Sequence, residues 1–293
     1  MLEFIKKYLR SKLKPYLINA RLANDKTSIL LGTILCDINS LKAPRKTKIS
    51  DFEFSVFSQF GEDGIIQEIV RRINVKNKVF VEIGIEDYRE SNTRFLLMKD
   101  KWSGLAIDGD DERIKSIEQW FVDRWKFKIN FKSKFLSTTN VNEVIGEFVK
   151  GDIGLLSLDI DGNDYWVLQE IDVVCPDIIV CEINQRFGSS LDCTIPYDPS
   201  FVAKNKHSSS EYHGASLQAM KRLCEKKGYI FLGISTEKVN AFFVKSSYSN
   251  LFEDIDKTVE PFGLQFSYKE IMEFPLVELS KACEVSIKDL NGA

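Results

Sequence analysis

The chain has 293 residues, of which 44% are hydrophobic and 12% aromatic, and its 40 Lys and Arg against 43 Asp and Glu give a net charge of −3. This composition excludes a disordered chain and predicts a globular protein with a sizeable core. The balanced charge argues against a general nucleic-acid binder, which normally carries a basic excess. The six cysteines show no CxxC spacing, so free thiols are expected and a zinc site is not.

The first 22 residues predict a basic amphipathic helix. Lysines and arginines separate apolar residues that recur near helical spacing, namely Leu2, Ile5, Leu9, Leu13 and Leu17. Such a helix either lies on an anionic membrane or packs on its own domain or a second subunit, as in a homo-oligomer, and the packing interpretation is favoured. Pro15 is expected to interrupt or end it. Since the chain shows no signal peptide and no apolar run that could span a bilayer, a cytoplasmic protein is predicted, with peripheral membrane contact through residues 1–22 as the alternative.

From about residue 52, short apolar runs alternate with segments of helical periodicity. The predicted strands are 78–85, 104–110, 126–136, 154–160, 177–183, 229–234 and 241–246. The predicted helices between them are 62–73, 91–99, 111–121, 140–149, 163–171 and 216–228. This alternation is typical of an α/β fold with a doubly wound, mostly parallel sheet of seven strands. Only residues 235–240 join the last two runs, so these should form a hairpin that makes the last strand antiparallel.

The pattern predicts three parts. A helical amino-terminal extension covers residues 1–50, the α/β domain covers 51–248, and a helical carboxy-terminal tail covers 249–293.

Acidic residues follow four of the predicted strands, where open α/β sheets bind their ligands. They are Glu82, Asp108, the pair Asp159 and Asp161, and Glu182, which Asn184 follows closely. Gly84 with Asp108 two dozen residues later fits a nucleoside site, in which the acid takes the ribose hydroxyls. Glu86 and Tyr88 stand where further glycines would help to bind a pyrophosphate, which argues against a dinucleotide. A ligand with positive charge, such as S-adenosylmethionine, suits the acidic site better, although Glu82 and Asp108 could also serve only as helix caps.

The segments 80-FVEIGIEDYRESNT-93, 104-GLAIDGD-110, 156-LSLDIDGNDYWVL-168 and 179-IVCEIN-184, closed by the hairpin, resemble class I S-adenosylmethionine-dependent methyltransferases. The chain looks most like the FkbM-like family, whose members methylate hydroxyls of sugars and related natural products. The resemblance covers roughly residues 52–247, and 58-SQFGEDGII-66 is similar to a segment ahead of the first strand. It implies an O-methyltransferase that acts on a saccharide or glycosylated metabolite, such as a surface-polysaccharide or nucleotide sugar.

The resemblance also implies roles for residues at the strand ends. The cofactor-binding residues would be Gln59, Glu82, Gly84, Asp108 and Asp159, with Asp161 at the reaction centre. The chain is more distantly similar to metal-dependent O-methyltransferases, which implies a site for Mg²⁺ or another divalent metal formed by Asp159, Asp161, Glu182 and Asn184. The alternative is that one acid contacts the cofactor ammonium and another caps the helix at 163–171.

Both histidines of the chain lie in 204-KNKHSSSEYHGAS-216, ahead of the last predicted helix. An imidazole could take the proton of a sugar hydroxyl during methyl transfer, and His213 is favoured over His207 because it lies closer to the helix start. The aperiodic segment 185–201 is expected to shape the acceptor pocket, with Arg186, Tyr197 and Lys206 as candidates for contacting a sugar or its phosphate.

Two other functions remain open at this stage. A catalytically inactive methyltransferase-like domain could dock on a membrane or partner, an alternative favoured by the missing glycines. A nucleic-acid methyltransferase is disfavoured by the balanced charge, and no nucleic-acid partner is expected.

Overall fold

The computed structural model describes residues 2–121, 124–206, 210–263, 265 and 275–279 of the chain. Within the first helix, the side chains of residues 2–15, 17 and 18 lie outside this description.

Seven strands form one sheet in the order β3-β2-β1-β4-β5-β8-β7. They are β1 (Val79–Ile83), β2 (Ser103–Asp108), β3 (Ile129–Ser133), β4 (Gly151–Leu158), β5 (Val174–Glu182), β7 (Tyr229–Ile234) and β8 (Asn240–Lys245), while β6 (Cys193–Thr194) and β9 (Val277–Glu278) pair with each other outside this sheet. The first five strands pair in parallel, and β8 runs antiparallel to both β5 and β7. The predicted doubly wound sheet with a reversed last strand is therefore confirmed.

Helices cover both faces of the sheet. They are α1 (Leu2–Lys42), α2 (Glu62–Ile73), α3 (Arg94–Asp100), α4 (Asp111–Trp120), α5 (Val141–Gly146), α6 (Asp164–Glu170), α7 (Ala203–Lys206) and α8 (Leu217–Lys226). Alternate residues of one strand enter different cores: Val81 and Ile83 join one hydrophobic cluster and Phe80 the other. Each such side chain contributes about 1.5 to 3 kcal/mol when fully buried. Burial on both faces explains why the strands are apolar throughout instead of alternating.

Helix α1 runs through position 15 to Lys42, which differs from the prediction that Pro15 would interrupt or end it. Its second half is fixed to the domain. Asp25 accepts a hydrogen bond from the Arg94 guanidinium at 2.9 Å, and the Arg21 guanidinium lies 3.9 Å from the centre of the Trp120 ring. A proline costs roughly 3 kcal/mol inside a helix, and these contacts stabilise the later part of the same helix. Among the described residues, no helix combines the length and apolar character that a membrane crossing requires.

The segment after β8 differs from the predicted helical tail. A 3₁₀ turn covers Ser246–Phe252, and residues 253–263 contain no helix. The Asp256 amide donates to the Thr47 carbonyl at 2.7 Å, and β9 pairs with β6, so the described parts of the tail pack on the extension and on the loop after β5. Residues 264, 266–274 and 280–293 of the predicted tail lie outside the described residues.

The anchor of α1 gives a first testable prediction. Asp25→Ala should lower the free energy of unfolding by about 3 kcal/mol, because it leaves the buried Arg94 guanidinium without its anion. Lys26→Ala, at an exposed position of the same helix, should change it by less than about 0.5 kcal/mol. Urea unfolding measures both, and equal effects would contradict the assigned role of the ion pair.

Candidate functional site

A cavity of about 770 Å³ opens where the carboxyl ends of β1, β2, β4 and β5 converge. Among the described residues, its walls carry ten acidic side chains and two basic ones. The acidic residues are Glu62, Glu82, Glu86, Glu90, Asp108, Asp110, Asp111, Asp159, Asp161 and Glu182. Five residues predicted to bind a cofactor, Gln59, Glu82, Gly84, Asp108 and Asp159, all line this cavity. An opening with this charge favours positively charged or neutral ligands over anionic ones.

Glu82 is fully engaged by the loop that follows β1. Its carboxylate accepts hydrogen bonds from the Ser91 hydroxyl at 2.6 Å, the Asn92 amide at 2.8 Å and the Thr93 hydroxyl. Burial raises the pKa of Glu82, and these donors oppose that shift. The residue therefore fixes the loop at the cavity wall and does not cap a helix.

Gly84 lies where the chain after β1 passes close to the backbone that follows β4, and only glycine fits there. Its φ is +81°, and a Cβ at this position would lie 1.4 Å from the carbonyl oxygen of Asp159. Glu86 and Tyr88, which stand where further glycines were expected, also have left-handed backbone angles, with φ of 48° and 62°. Such angles cost roughly 1 to 3 kcal/mol at non-glycine residues. The loop thus follows a glycine-like path although two of the glycines are missing.

Asp108, at the end of β2, fixes this loop through hydrogen bonds from backbone amides. One carboxylate oxygen accepts from the Glu86 amide and the other from the Asp110 amide, both at 2.8 Å. The cap of α4 is Asp110, which accepts from the amides of Glu112 and Arg113. The alternative that Asp108 serves only as a helix cap is therefore wrong. Each oxygen of Asp108 retains a lone pair, and the residue lines the cavity.

The turn after β4 brings two acids to the cavity and is held by a third. Asp164, which is fully buried, accepts hydrogen bonds from the amides of Ile160 at 2.8 Å and Gly162 at 2.9 Å. Burial raises the pKa of Asp164 in spite of these donors. Sequence analysis assigned no role to Asp164, although an acid in the first turn of a predicted helix is a signal for such a brace. Because Asp164 stabilises the turn, Asp159 and Asp161 are free to face the cavity.

An acidic centre with one imidazole lies beside this turn. Asp161, Glu182 and His213 each offer a ligand atom within 4.8 Å of the others, as do Asp159, Asp164 and Glu182. Glu182 Oε2 lies 3.5 Å from His213 Nδ1, and neither atom has a hydrogen-bond partner among the residues that the structure describes. Buried polar atoms are normally paired. These two are among seven described side-chain atoms that are buried without a partner, and they lie next to each other.

Repulsion adds to burial at this centre. Burial raises the pKa of Asp159 well above its usual range, and the neighbouring Glu182 and Asp161 raise it further. The pKa of Glu182 is raised well above its usual range by burial and then by Asp164 and Asp161. A cation bound here would stabilise the charged forms of these carboxylates.

Asn184 fixes the backbone of the loop that carries His213. Its side-chain amide donates to the carbonyls of Glu211 at 2.8 Å and His213 at 2.9 Å, and its oxygen accepts from the Arg186 amide at 3.0 Å. The expectation that Asn184 is a metal ligand does not fit the structure, because Asn184 does not line the cavity and its side chain holds the loop instead. The imidazole of His213 lies beside Glu182, and its role as the base stays a prediction. The Gly214 amide of the same loop donates to the Gly162 carbonyl at 3.0 Å.

The loop after β5 reaches the cavity through apolar residues. Phe201 and Val202 line it, whereas the three polar candidates have other partners and do not. Arg186 pairs with Glu211, Tyr197 accepts a hydrogen bond from the Thr138 hydroxyl, and Lys206 donates to Asp198 at 2.7 Å. His207, the second predicted base, lies outside the described residues.

Two further cavity features escaped sequence analysis. Phe135, just after β3, is 48% exposed and lines the cavity beyond Asp108. The Asn240 side chain donates to Glu62 at 2.9 Å across a sequence separation of 178 residues, which no local pattern could indicate. An aromatic residue at the end of a predicted strand was the available signal for Phe135.

No family model and no curated protein sequence matches the chain. Solved structures that it resembles include a candidate caffeoyl-CoA O-methyltransferase from Staphylococcus aureus, with 15% identity, TM-score 0.44, and coverage of 74% of this chain and 99% of that one. A magnesium protoporphyrin IX methyltransferase from Synechocystis PCC 6803, solved with S-adenosylmethionine, has 7% identity and a TM-score of 0.40, and the match covers 63% of this chain and 77% of that one. A candidate sarcosine dimethylglycine methyltransferase from Galdieria sulphuraria has 15% identity and a TM-score of 0.39. That match covers 58% of this chain, and this chain spans only 62% of that protein's length. Since all three TM-scores lie below 0.5, the fold assignment rests on the strand order and the site on its own contacts.

The raised carboxyl pKa values predict how metal-free protein responds to pH. A group with a raised pKa in the folded state holds a proton that the unfolded chain releases, so stability is lost as pH rises above about 4 towards the folded-state pKa. Glu182→Gln removes this effect. Thermal melts with chelator present should therefore show the variant more stable than the unmodified protein at pH 8, with the difference vanishing towards pH 4.

Asp198→Asn provides a control of opposite sign. The Lys206 ammonium lowers the pKa of Asp198 to about 2, so this carboxylate stabilises the fold at neutral pH. Its replacement should lower the melting temperature at pH 8, with an effect that fades as pH falls through about 4 towards 2. A Glu182→Gln variant that is less stable than the unmodified protein at pH 8 would contradict the account of the acidic centre.

Proposed function

We propose that the protein is an O-methyltransferase that transfers the methyl group of S-adenosylmethionine to a hydroxyl of a saccharide or glycosylated metabolite. The observation that carries this proposal is the acidic cavity at the strand ends, which Asp108 and Gly84 line. Gly84 packs there against the Asp159 carbonyl. S-adenosylmethionine bears a sulfonium and an ammonium, and both are favoured by such a cavity.

Asp108 is the proposed ribose contact. Its two oxygens are oriented by the amides of Glu86 and Asp110, so the remaining lone pairs are fixed in direction and can accept the ribose hydroxyls. Phe135 offers an exposed ring for the nucleobase on the β3 side. The methionine part would then lie at Gly84, beside the loop that Glu82 holds, with Gln59 at the cavity edge and Asp159 facing the ligand.

The acidic centre is the proposed place of methyl transfer. The acceptor oxygen attacks the methyl carbon in line with the carbon–sulfur bond, which breaks to leave S-adenosylhomocysteine, and the hydroxyl proton must be removed. Positioning within near-attack distance supplies much of the rate enhancement in such reactions. Asp161 and the Glu182–His213 pair lie where they can orient the hydroxyl and accept its proton.

A divalent cation fits this centre. Two carboxylates and one imidazole suit Mn²⁺ or another transition-metal dication better than Mg²⁺, which prefers oxygen ligands alone. The unpartnered Glu182 Oε2 and His213 Nδ1 are the atoms that would hold the cation with Asp161. When bound, the cation would lower the pKa of the acceptor hydroxyl and neutralise the clustered acids. Asn184 would act on it indirectly, since it fixes the backbone of His213.

The charge of the cavity also limits the acceptor. Hydroxyl groups can donate hydrogen bonds to the acidic walls, whereas a phosphate-rich acceptor would be repelled. An uncharged saccharide is therefore favoured over a nucleotide sugar or a nucleic acid. The alternative of an inactive docking domain was based on the missing glycines, and the left-handed angles of Glu86 and Tyr88 weaken it because the loop keeps its shape.

Asp108→Ala tests the cofactor site. Losing two charge-assisted hydrogen bonds should weaken the binding of S-adenosylhomocysteine about a hundredfold, as measured by isothermal titration calorimetry. Asp111→Ala is the matched control, because Asp111 also lines the cavity but is 62% exposed at its rim, and it should bind nearly as tightly as the unmodified protein. Retained binding in a folded Asp108→Ala protein would sink the assignment.

Calorimetric titration with Mn²⁺ tests the cation site without an acceptor. Chelator-treated protein should bind one Mn²⁺, and both Glu182→Gln and His213→Ala should abolish this binding, whereas Asp198→Asn should retain it. If the unmodified protein binds no Mn²⁺, the cation is excluded. His213, oriented by Glu182 at 3.5 Å, would then be left as the direct base.

A further inference from the structure

Helix α1 carries a row of exposed apolar side chains along its second half. The exposed fractions are 65% for Leu30, 57% for Leu31, 53% for Ile34, 37% for Leu35, 36% for Ile38 and 83% for Leu41. Single exposed apolar residues are common on protein surfaces, but a contiguous row on one helix indicates an interaction site.

The opposite side of the same helix is docked on the domain. Asp25 bonds to Arg94, Asn39 donates to the Phe52 carbonyl at 2.8 Å, and Gly32 packs closely against Phe95. These contacts fix the rotation of α1 about its axis. The exposed row therefore points away from its own domain, and a second molecule can reach it.

The spacing of the row follows a heptad repeat. Leu31, Ile34, Ile38 and Leu41 are separated by three, four and three residues, which places them at successive a and d positions. The same register continues towards the start of the helix through Thr27, Asn24, Ala20, Leu17 and Leu13. The apolar part of this register is the stretch 31–41, since Thr27, Asn24 and Ala20 are polar or small.

We propose that α1 pairs with α1 of a second copy of this chain in a parallel, in-register coiled coil. The flanking charges favour this orientation. Asp37 occupies a g position and Lys42 the e position five residues later, so in a parallel pair each Asp37 lies beside Lys42 of the other copy. An antiparallel pair would instead bring the two Asp37 side chains together. The preceding g and e positions are Leu30 and Leu35, which extend the apolar contact.

Asn24 adds to the case for a dimer. It is exposed and occupies an a position, where a single asparagine specifies register and two-stranded association in coiled coils. A lipid surface would not need heptad spacing along the apolar row. The inference is independent of the proposed methyltransferase function.

Sedimentation equilibrium of the full chain at micromolar concentration tests the proposal. The unmodified protein should be a dimer, and Ile34→Glu should weaken dimerisation about a hundredfold or more because it places a charge in the centre of the interface. Ser40→Glu is the matched control, because it adds the same charge at an exposed position outside the a and d row and should leave the dimer intact. A monomeric unmodified protein would overturn the proposal, and α1-dependent binding of that monomer to anionic vesicles would assign the row to a membrane.

A charge exchange tests the orientation. Asp37→Lys should weaken the dimer, and the double variant Asp37→Lys with Lys42→Asp should restore it, since the pair is re-formed with opposite polarity. Leu41→Cys should form a disulfide-linked dimer on mild oxidation, beyond the background of the unmodified protein, because the two Leu41 positions face each other only in the parallel pair. Absence of both restoration and cross-linking in a dimeric protein would contradict the parallel arrangement.

Discussion

Negative charge concentrated at one edge of an apolar sheet is the constraint on which the structure of the site depends. A parallel sheet brings the carboxyl ends of its strands together, and here four of those ends carry acids. Burying carboxylates is costly unless donors or cations stabilise them. The acids at this edge fall into two groups: those that accept hydrogen bonds from nearby donors, and those that lie close to other acids.

One group of acids is satisfied within the protein. Glu82 receives three donors from its loop, and Asp164 receives two backbone amides, one on each of its oxygens. The other group consists of Asp159 and Glu182, whose pKa values are raised by burial and by neighbouring acids, together with the exposed Asp161 beside them. Only the second group calls for an external partner. The proposed cofactor and cation would each supply positive charge at this place.

The sequence was sufficient for the central sheet, where apolar pattern and connection lengths agreed, but not for the tail, where a helix was expected and a 3₁₀ turn with irregular chain is found. Apolar runs on both faces, short loops and the brief 235–240 connection together allowed one topology, including the reversed last strand. The acidic strand ends were also predictable, since parallel strands must bring them to one edge. Sequence analysis could not separate Asp164 from Asp159 and Asp161, because which acid receives the amides depends on the path of the turn. It misjudged Pro15 and Asn184 for a related reason: tertiary contacts, from Asp25 and Arg94 in one case and from the His213 loop in the other, determine their roles.

The most direct test of the account is a calorimetric comparison of S-adenosylmethionine with NAD⁺ on the unmodified protein. Both contain a ribose and an adenine, but the first carries sulfonium and ammonium charges while the second carries an anionic pyrophosphate. The account predicts that S-adenosylmethionine binds and that NAD⁺ does not, because the acidic walls repel the pyrophosphate. Binding of NAD⁺ in preference to S-adenosylmethionine would show that the charge of the cavity does not select its ligand, and the proposed function would fall with it.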